Sequence, residues 1–224
     1  TDKPRYIAAL QDSDQAGNLG PLFELFIEKS KGALVGLELA ARKRQGYDRL
    51  AIQIRRAQER QLQIWNTATR LFYQILIDKM TAYAESCGAS IESTYFESSL
   101  DLDDYIQLCK GRAIGSKCWN FTLTLAAPGL VPVKRLCWTG FIPDDVRPHM
   151  TVKDGLGPCL FWSIPNPDKF PAWLWATDED APAARAIALS PAGGDNWFVH
   201  QTGDGVVRMS TVEVAELVSN AFVS

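Results

Sequence analysis

Apolar residues recur every three or four positions from the N-terminus to Cys87, and beyond Gly88 the rhythm shortens toward alternation. The first pattern predicts helices and the second predicts strands. Tyr6, Ile7 and Leu10 share one side of a short helix, which the Asp, Ser, Asn and Gly residues between Asp12 and Gly20 should end. Pro21 stands where the first turn of a helix tolerates proline, and Leu22, Leu25, Phe26, Ala33, Leu37 and Ala40 continue at helical spacing up to Gly46. From Tyr47 to Cys87 there are 41 residues without Gly or Pro. Within them Leu50, Ile54, Ala57, Ile64, Ala68, Phe72, Ile75 and Tyr83 keep a helical stripe that Gln61 interrupts. A long helix over 47–87, paired antiparallel with the helix before Gly46, is the simplest burial.

After Gly88, eight segments read as short strands between Pro, Gly, Asn and Asp breaks. They are Ile91–Phe96, Tyr105–Leu108, Trp119–Ala126, Val131–Gly140, Cys159–Ile164, Trp173–Ala176, Ala186–Leu189 and Trp197–His200. Asn196–His200 and Val206–Met209 flank Thr202-Gly203-Asp204-Gly205, which suits a hairpin turn because glycine accepts positive φ. Ser210 to Glu213 matches the S-x-x-E capping box, and Val214, Leu217, Val218 and Phe222 give the following helix an apolar face. The fold class expected is α+β. A helical hairpin or small bundle fills 1–88, and an antiparallel β-rich unit closed by a C-terminal helix fills 89–224.

Composition sharpens that division. Of 12 prolines only Pro4 and Pro21 lie before residue 89, and six of the seven tryptophans lie after it. The whole chain of 224 residues has a net charge of −3, so no global field draws it to a polyanion. Its apolar runs are far shorter than a bilayer span, so a membrane partner is not expected, and a soluble cytoplasmic setting is. The first residue is Thr1 rather than Met, which leads us to expect a trimmed or excised chain with chemistry-bearing residues upstream.

Candidate chemistry is sparse. The five cysteines, Cys87, Cys109, Cys118, Cys137 and Cys159, contain no CxxC pair, and the only histidines are His149 and His200. No metal site or cofactor is expected from that set, and the thiols read as reduced, buried groups. Asp101, Asp103 and Asp104 lack the Gly and distal Glu of a calcium loop and read as a solvated turn. Asp178, Glu179 and Asp180 form an acidic loop with no second carboxylate pair. No nucleophile elbow, Walker loop or Rossmann fingerprint occurs, and no catalytic residue is assigned.

Two constellations remain. Arg42, Lys43, Arg44, Arg49, Arg55, Arg56 and Arg60 face only Asp48 and Glu59, a local balance of +5 in 19 residues. That run reads either as a contact surface for a protein partner or a polyanion, nucleic acid not being favoured, or as a solvated bend between helices or an ion-pairing partner of the acidic second unit. Trp173 and Trp175, two residues apart on a strand, place both rings on one side, where they either pack in the core or line a pocket.

The words Arg5-Tyr6-Ile7-Ala8-Ala9-Leu10, Asp14, and Gly17-Asn18-Leu19-Gly20-Pro21-Leu22-Phe23-Glu24-Leu25-Phe26 resemble the segment after the catalytic motif of Fic-family proteins. That segment carries a Tyr-x-x-Ala-Leu helix, an acidic glycine-bearing turn and a helix opening on Pro-Leu. The resemblance covers about residues 4–40. It implies a helical core and, for active members, transfer of a nucleotide fragment from ATP to a hydroxyl side chain. The family's His-Pro-Phe and Gly-Asn-Gly-Arg words are absent here, since Gly17-Asn18 continues as Leu19-Gly20. The resemblance therefore implies a non-catalytic C-terminal region that buttresses an upstream core and recognises a partner or target. The alternative is a free-standing sensor or small-ligand-binding domain with an aromatic pocket and dimerisation through the long helix.

Overall fold

The computed structural model of the chain describes residues 3–97, 100–115, 118–142, 157–169, 172–176, 180–190, 195–201 and 205–223. The fold is α+β. Its contacts divide the chain into two compact units, Thr1–Arg56 and Ala57–Ser224. The division falls inside a helix rather than at residue 88, because the second half of that helix supplies the core of the β-rich unit.

In the first unit, α1 (Lys3–Ala16) ends at Gly17, whose φ of 65° lets its N–H turn back to the Ser13 carbonyl at 3.1 Å. Asn18 Oδ1 then accepts the Gly20 N–H at 3.1 Å as α2 (Gly20–Cys87) begins. Ala9 of α1 and Leu25 of α2 are buried, and Arg5 pairs with Glu28 at 3.2 Å. The expected helical hairpin about Gly46 is not formed: α2 runs unbroken for 68 residues. A lone glycine costs a helix about 1 kcal/mol relative to Ala and does not end it, and good helix formers stand close on both sides, Arg44 and Gln45 before it and Arg49, Leu50 and Ala51 after it.

In the second unit the sheet is antiparallel, built from β1 (Ser90–Tyr95), β2 (Trp119–Ala126), β3 (Val133–Gly140), β4 (Cys159–Pro165), β5 (Trp173–Trp175), β6 (Ala184–Leu189), β7 (Trp197–Gln201) and β8 (Val206–Met209). The order is β1-β2-β3-β4-β6-β7-β8; β5 joins β4 along residues 163–165, and β6 joins it along 159–160. The hairpin partners β7 and β8 pair as expected, while Thr202–Asp204 of the expected turn, and His149, lie outside the described residues.

The segment Tyr105–Leu108, expected as a strand, is part of helix α3 (Leu102–Cys109). Asp101 caps it by accepting the Asp104 N–H at 2.8 Å, and Asp103 and Asp104 sit in its first turn, where the helix dipole favours carboxylates. The acidic cluster is a helix start, and the i,i+3 pair Tyr105 and Leu108 is its buried side.

The inner sheet face carries Phe121, Leu123, Cys137, Leu160, Trp162, Ile187, Trp197 and Val199. Against it pack Trp65, Phe72, Leu76 and Met80 of α2, and Val214, Ala215, Val218 and Phe222 of helix α4 (Thr211–Val223). The rings of Trp65 and Phe72 approach Trp197 at 6.2 and 6.0 Å. Trp197 Nε1 donates to Thr211 Oγ1 at 2.8 Å, and Asp195 Oδ1 accepts the Thr211 N–H at 2.7 Å and its hydroxyl, tying the start of α4 to the sheet. The buried side of α2 agrees with the expected stripe at Phe72 but is one residue out of step at its two ends: Ile64 and Tyr83 are exposed, while Trp65 and Ala84 are buried.

The capping box forms as its sequence predicts. The Glu213 carboxylate accepts the Ser210 N–H at 2.7 Å and its hydroxyl at 2.8 Å. The backbone N–H first and the hydroxyl second hold the carboxyl below its ordinary range. A depressed folded-state value means that the cap's contribution is complete above the unfolded carboxylate value of about 4.3 and is lost as pH falls through the lower folded value. Ser210→Ala is expected to lower the urea midpoint at pH 7, with the gap to the parent chain narrowing at pH 3.

Candidate functional site

Helix α2 between residues 20 and 56 is the feature that burial leaves unexplained. Phe23, Phe26, Ile27, Leu34, Leu37, Tyr47, Leu50 and Ile54 are each more than half exposed, with Leu34 at 65% and Leu37 at 67%. Single exposed apolar residues are ordinary, but a run of this size marks a surface made to be covered. At about 100° per residue, Phe26, Leu37, Tyr47 and Ile54 fall on one broad side of the helix. Gly32 and Gly36 also lie within this stretch, and a Cβ at either would meet nothing within 4 Å. Each weakens the helix by about 1 kcal/mol without relieving a contact among the described residues.

The basic residues do not form one cluster. Arg42, Arg49 and Arg56 recur every seven residues and share a side largely free of the apolar run, where Arg42 bonds Glu38 at 2.6 Å as an exposed i,i+4 pair. Arg44 and Arg55, eleven apart, lie on another side among the apolar residues, and Lys43 lies between the two groups. Arg60 belongs to the second unit. There it lines an open groove of about 580 Å³ with Ile64, Ala68, Leu71, Leu189 and Asp195. The groove wall is Ile64, Ala68 and Leu71, of which Ile64 and Ala68 belong to the stripe that periodicity had turned toward the core.

Trp173 and Trp175 stand on the outer sheet face, away from that groove. Trp175 meets Trp138 and Phe161 edge-on, each with centroids at 5.2 Å, and stays 53% exposed. Lys134 Nζ lies 5.8 Å from the Trp173 ring centroid. The two rings do share one side, as their spacing requires, and that side is the surface.

Three of the five thiols are poor nucleophiles, and Cys87 departs from the expected burial. Burial pushes Cys137 and Cys159 far above the ordinary thiol range and raises Cys109 as well, while Cys118 is buried and Cys87 exposed. Native alkylation with iodoacetamide at pH 8, read by mass spectrometry, should modify Cys87 at least tenfold faster than the other four. Among the described residues no three of His, Cys, Asp and Glu come together as a metal cluster, and no helix is long and apolar enough to cross a membrane.

Sequence periodicity pointed to Phe26, Leu37 and Ile54 but passed over Phe23, Ile27 and Leu34. The missed signal is the crowding of apolar residues at 22–23, 25–27 and 33–35, which spreads the apolar surface wider than one packed neighbour needs. No family model, curated protein or solved structure matches the chain.

Proposed function

We propose that the chain is a non-catalytic C-terminal region of a Fic-like protein. Its helical unit buttresses a core that carries the catalytic motif, and its β-rich unit recognises a partner or target. The observation that carries the reading is the uncovered apolar surface on residues 23–54. The words that resemble the family, residues 4–40, overlap that surface, and they are the ones a Fic-like core would pack against. Gly32 and Gly36 fit the same role, since no described residue of the chain approaches the positions of the missing side chains. Burying the open half of each large apolar side chain contributes about 1 kcal/mol, enough over such a surface to offset the cost of association.

The chain supplies no general base or triphosphate-holding arginine in this reading; those belong to the core it supports. The test is a titration of the labelled chain with a Fic-type core ending at its Gly-Asn-Gly-Arg helix, followed by fluorescence anisotropy. Saturable binding at low micromolar core is expected. Absence of binding at about a hundred micromolar would remove the reading, and self-association of the chain through the same surface would replace it with the dimeric sensor.

A further inference from the structure

The sheet's outer face is divided. Over β4, β6 and β7 it is closed, with Cys159, Phe161, Ala186, Ala188 and Phe198 buried together with Ile142. Over β1, β2, β3 and β5 it carries hydroxyls and tryptophan. The register sets Thr94 opposite Thr122, Thr122 opposite Leu136, Leu136 opposite Ser163, and Ser163 opposite Trp175. A second row runs from Glu92 to Thr124 and Lys134, whose amine lies over Trp173. Paired residues on antiparallel strands share a face, so these side chains stand on one surface, with Leu136 and Ser163 as its buried floor. Five strands at about 4.8 Å spacing make that surface about 19 Å wide.

We propose that this face binds a neutral oligosaccharide, with Trp175 and Trp173 as the stacking rings and Thr122, Thr124, Thr94 and Glu92 as hydrogen-bonding partners for hydroxyls. A sugar ring offers an apolar C–H face bounded by donors and acceptors, and the surface offers the complement: an indole platform beside a row of hydroxyls. The rings are held in place before any ligand arrives, Trp175 by its edge contacts with Trp138 and Phe161 and Trp173 by Lys134, so little side-chain entropy is lost on binding. Charge selects the ligand class. Among the described residues the two rows carry one acid, Glu92, and one base, Lys134, in the half of the sequence where acids outnumber bases. A phosphate backbone would find no cationic track among the described residues there, whereas an uncharged polyhydroxylated chain needs none. Residues 57–224 carry the surface whole, so the proposal stands apart from the docking of the helical unit.

The test titrates the full chain with hexamers of β-1,4-glucose, β-1,4-N-acetylglucosamine, α-1,4-glucose and α-1,6-mannose, and with single-stranded thymidine oligonucleotide. Saturation-transfer NMR and tryptophan fluorescence are the readouts. Binding of at least one hexamer is expected, weakened roughly tenfold or more by Trp175→Ala and largely kept by Trp175→Phe. Because Trp175 is mostly exposed, circular dichroism and melting of the Ala variant should match the parent chain. No hexamer bound at about 10 mM, or binding indifferent to Trp175→Ala, overturns the proposal. Salt-sensitive oligonucleotide binding lost in Trp175→Ala, without sugar binding, overturns it in favour of nucleic acid.

Discussion

Phe72→Ala is expected to destabilise the unit 57–224 by about 3–5 kcal/mol, read as a shift in the urea or thermal midpoint. Phe72 is fully enclosed, and its ring lies 6.2 Å from Phe121 and 6.0 Å from Trp197. Removing it leaves a void between α2 and the inner sheet face that rigid indole and phenyl neighbours cannot collapse to fill. Against a typical domain stability of 5–15 kcal/mol that loss is a large share, equivalent to about 10 °C or more in melting temperature. Ile64→Ala is the control: Ile64 is 46% exposed on the groove side, and its truncation should change stability by about 0.5 kcal/mol or less. The pair of results tests which side of α2 faces the sheet.

The second large effect concerns docking. Leu34→Asp together with Leu37→Asp is expected to weaken binding to a Fic-type core at least a hundredfold, because two carboxylates would have to be desolvated where two leucines were. Neither side chain is buried in the free chain, so the melting of unit 57–224 should not change. Arg42→Gln with Arg49→Gln should leave the affinity within about threefold, since both stand on the solvated side and exposed ion pairs contribute little. A reversed ranking, with the arginines dominant, would assign the surface to an acidic partner.

Much of the architecture could be read from residue patterns. Strand β2 starts and ends where alternation and flanking breaks place it, the Ser210–Glu213 box caps α4, and Trp173 and Trp175 share a side. What could not be read depended on partners distant in sequence. Apolar residues occur on several sides of α2 between Leu62 and Ile77, so periodicity alone could not choose between Ile64 and Trp65; the aromatic floor of Phe121, Trp162 and Trp197 makes the choice. Tyr105–Leu108 is too short for its period to separate strand from helix, and the deciding residue is Asp101, a cap whose partner lies three positions on. Gly46 looked like a stop because glycine is a poor helix former, yet nothing after it offered a better path for the chain. The candidate surface itself was only half visible: its residues were legible as apolar, and their exposure was not.

The two halves of α2 should differ in what holds them. Residues 57–84 draw their stability from the sheet, whereas residues 20–54 pack within their own unit, among the described residues, against α1, and Gly32, Gly36 and Gly46 reduce their intrinsic propensity. Hydrogen exchange of the free chain, resolved by peptide, measures this directly. The account predicts amides in 60–84 protected nearly to the global limit, amides in 26–54 exchanging at least a hundredfold faster, and slowing of that second set on addition of a Fic-type core. Equal protection of both halves in a monomeric, partner-free chain would contradict it.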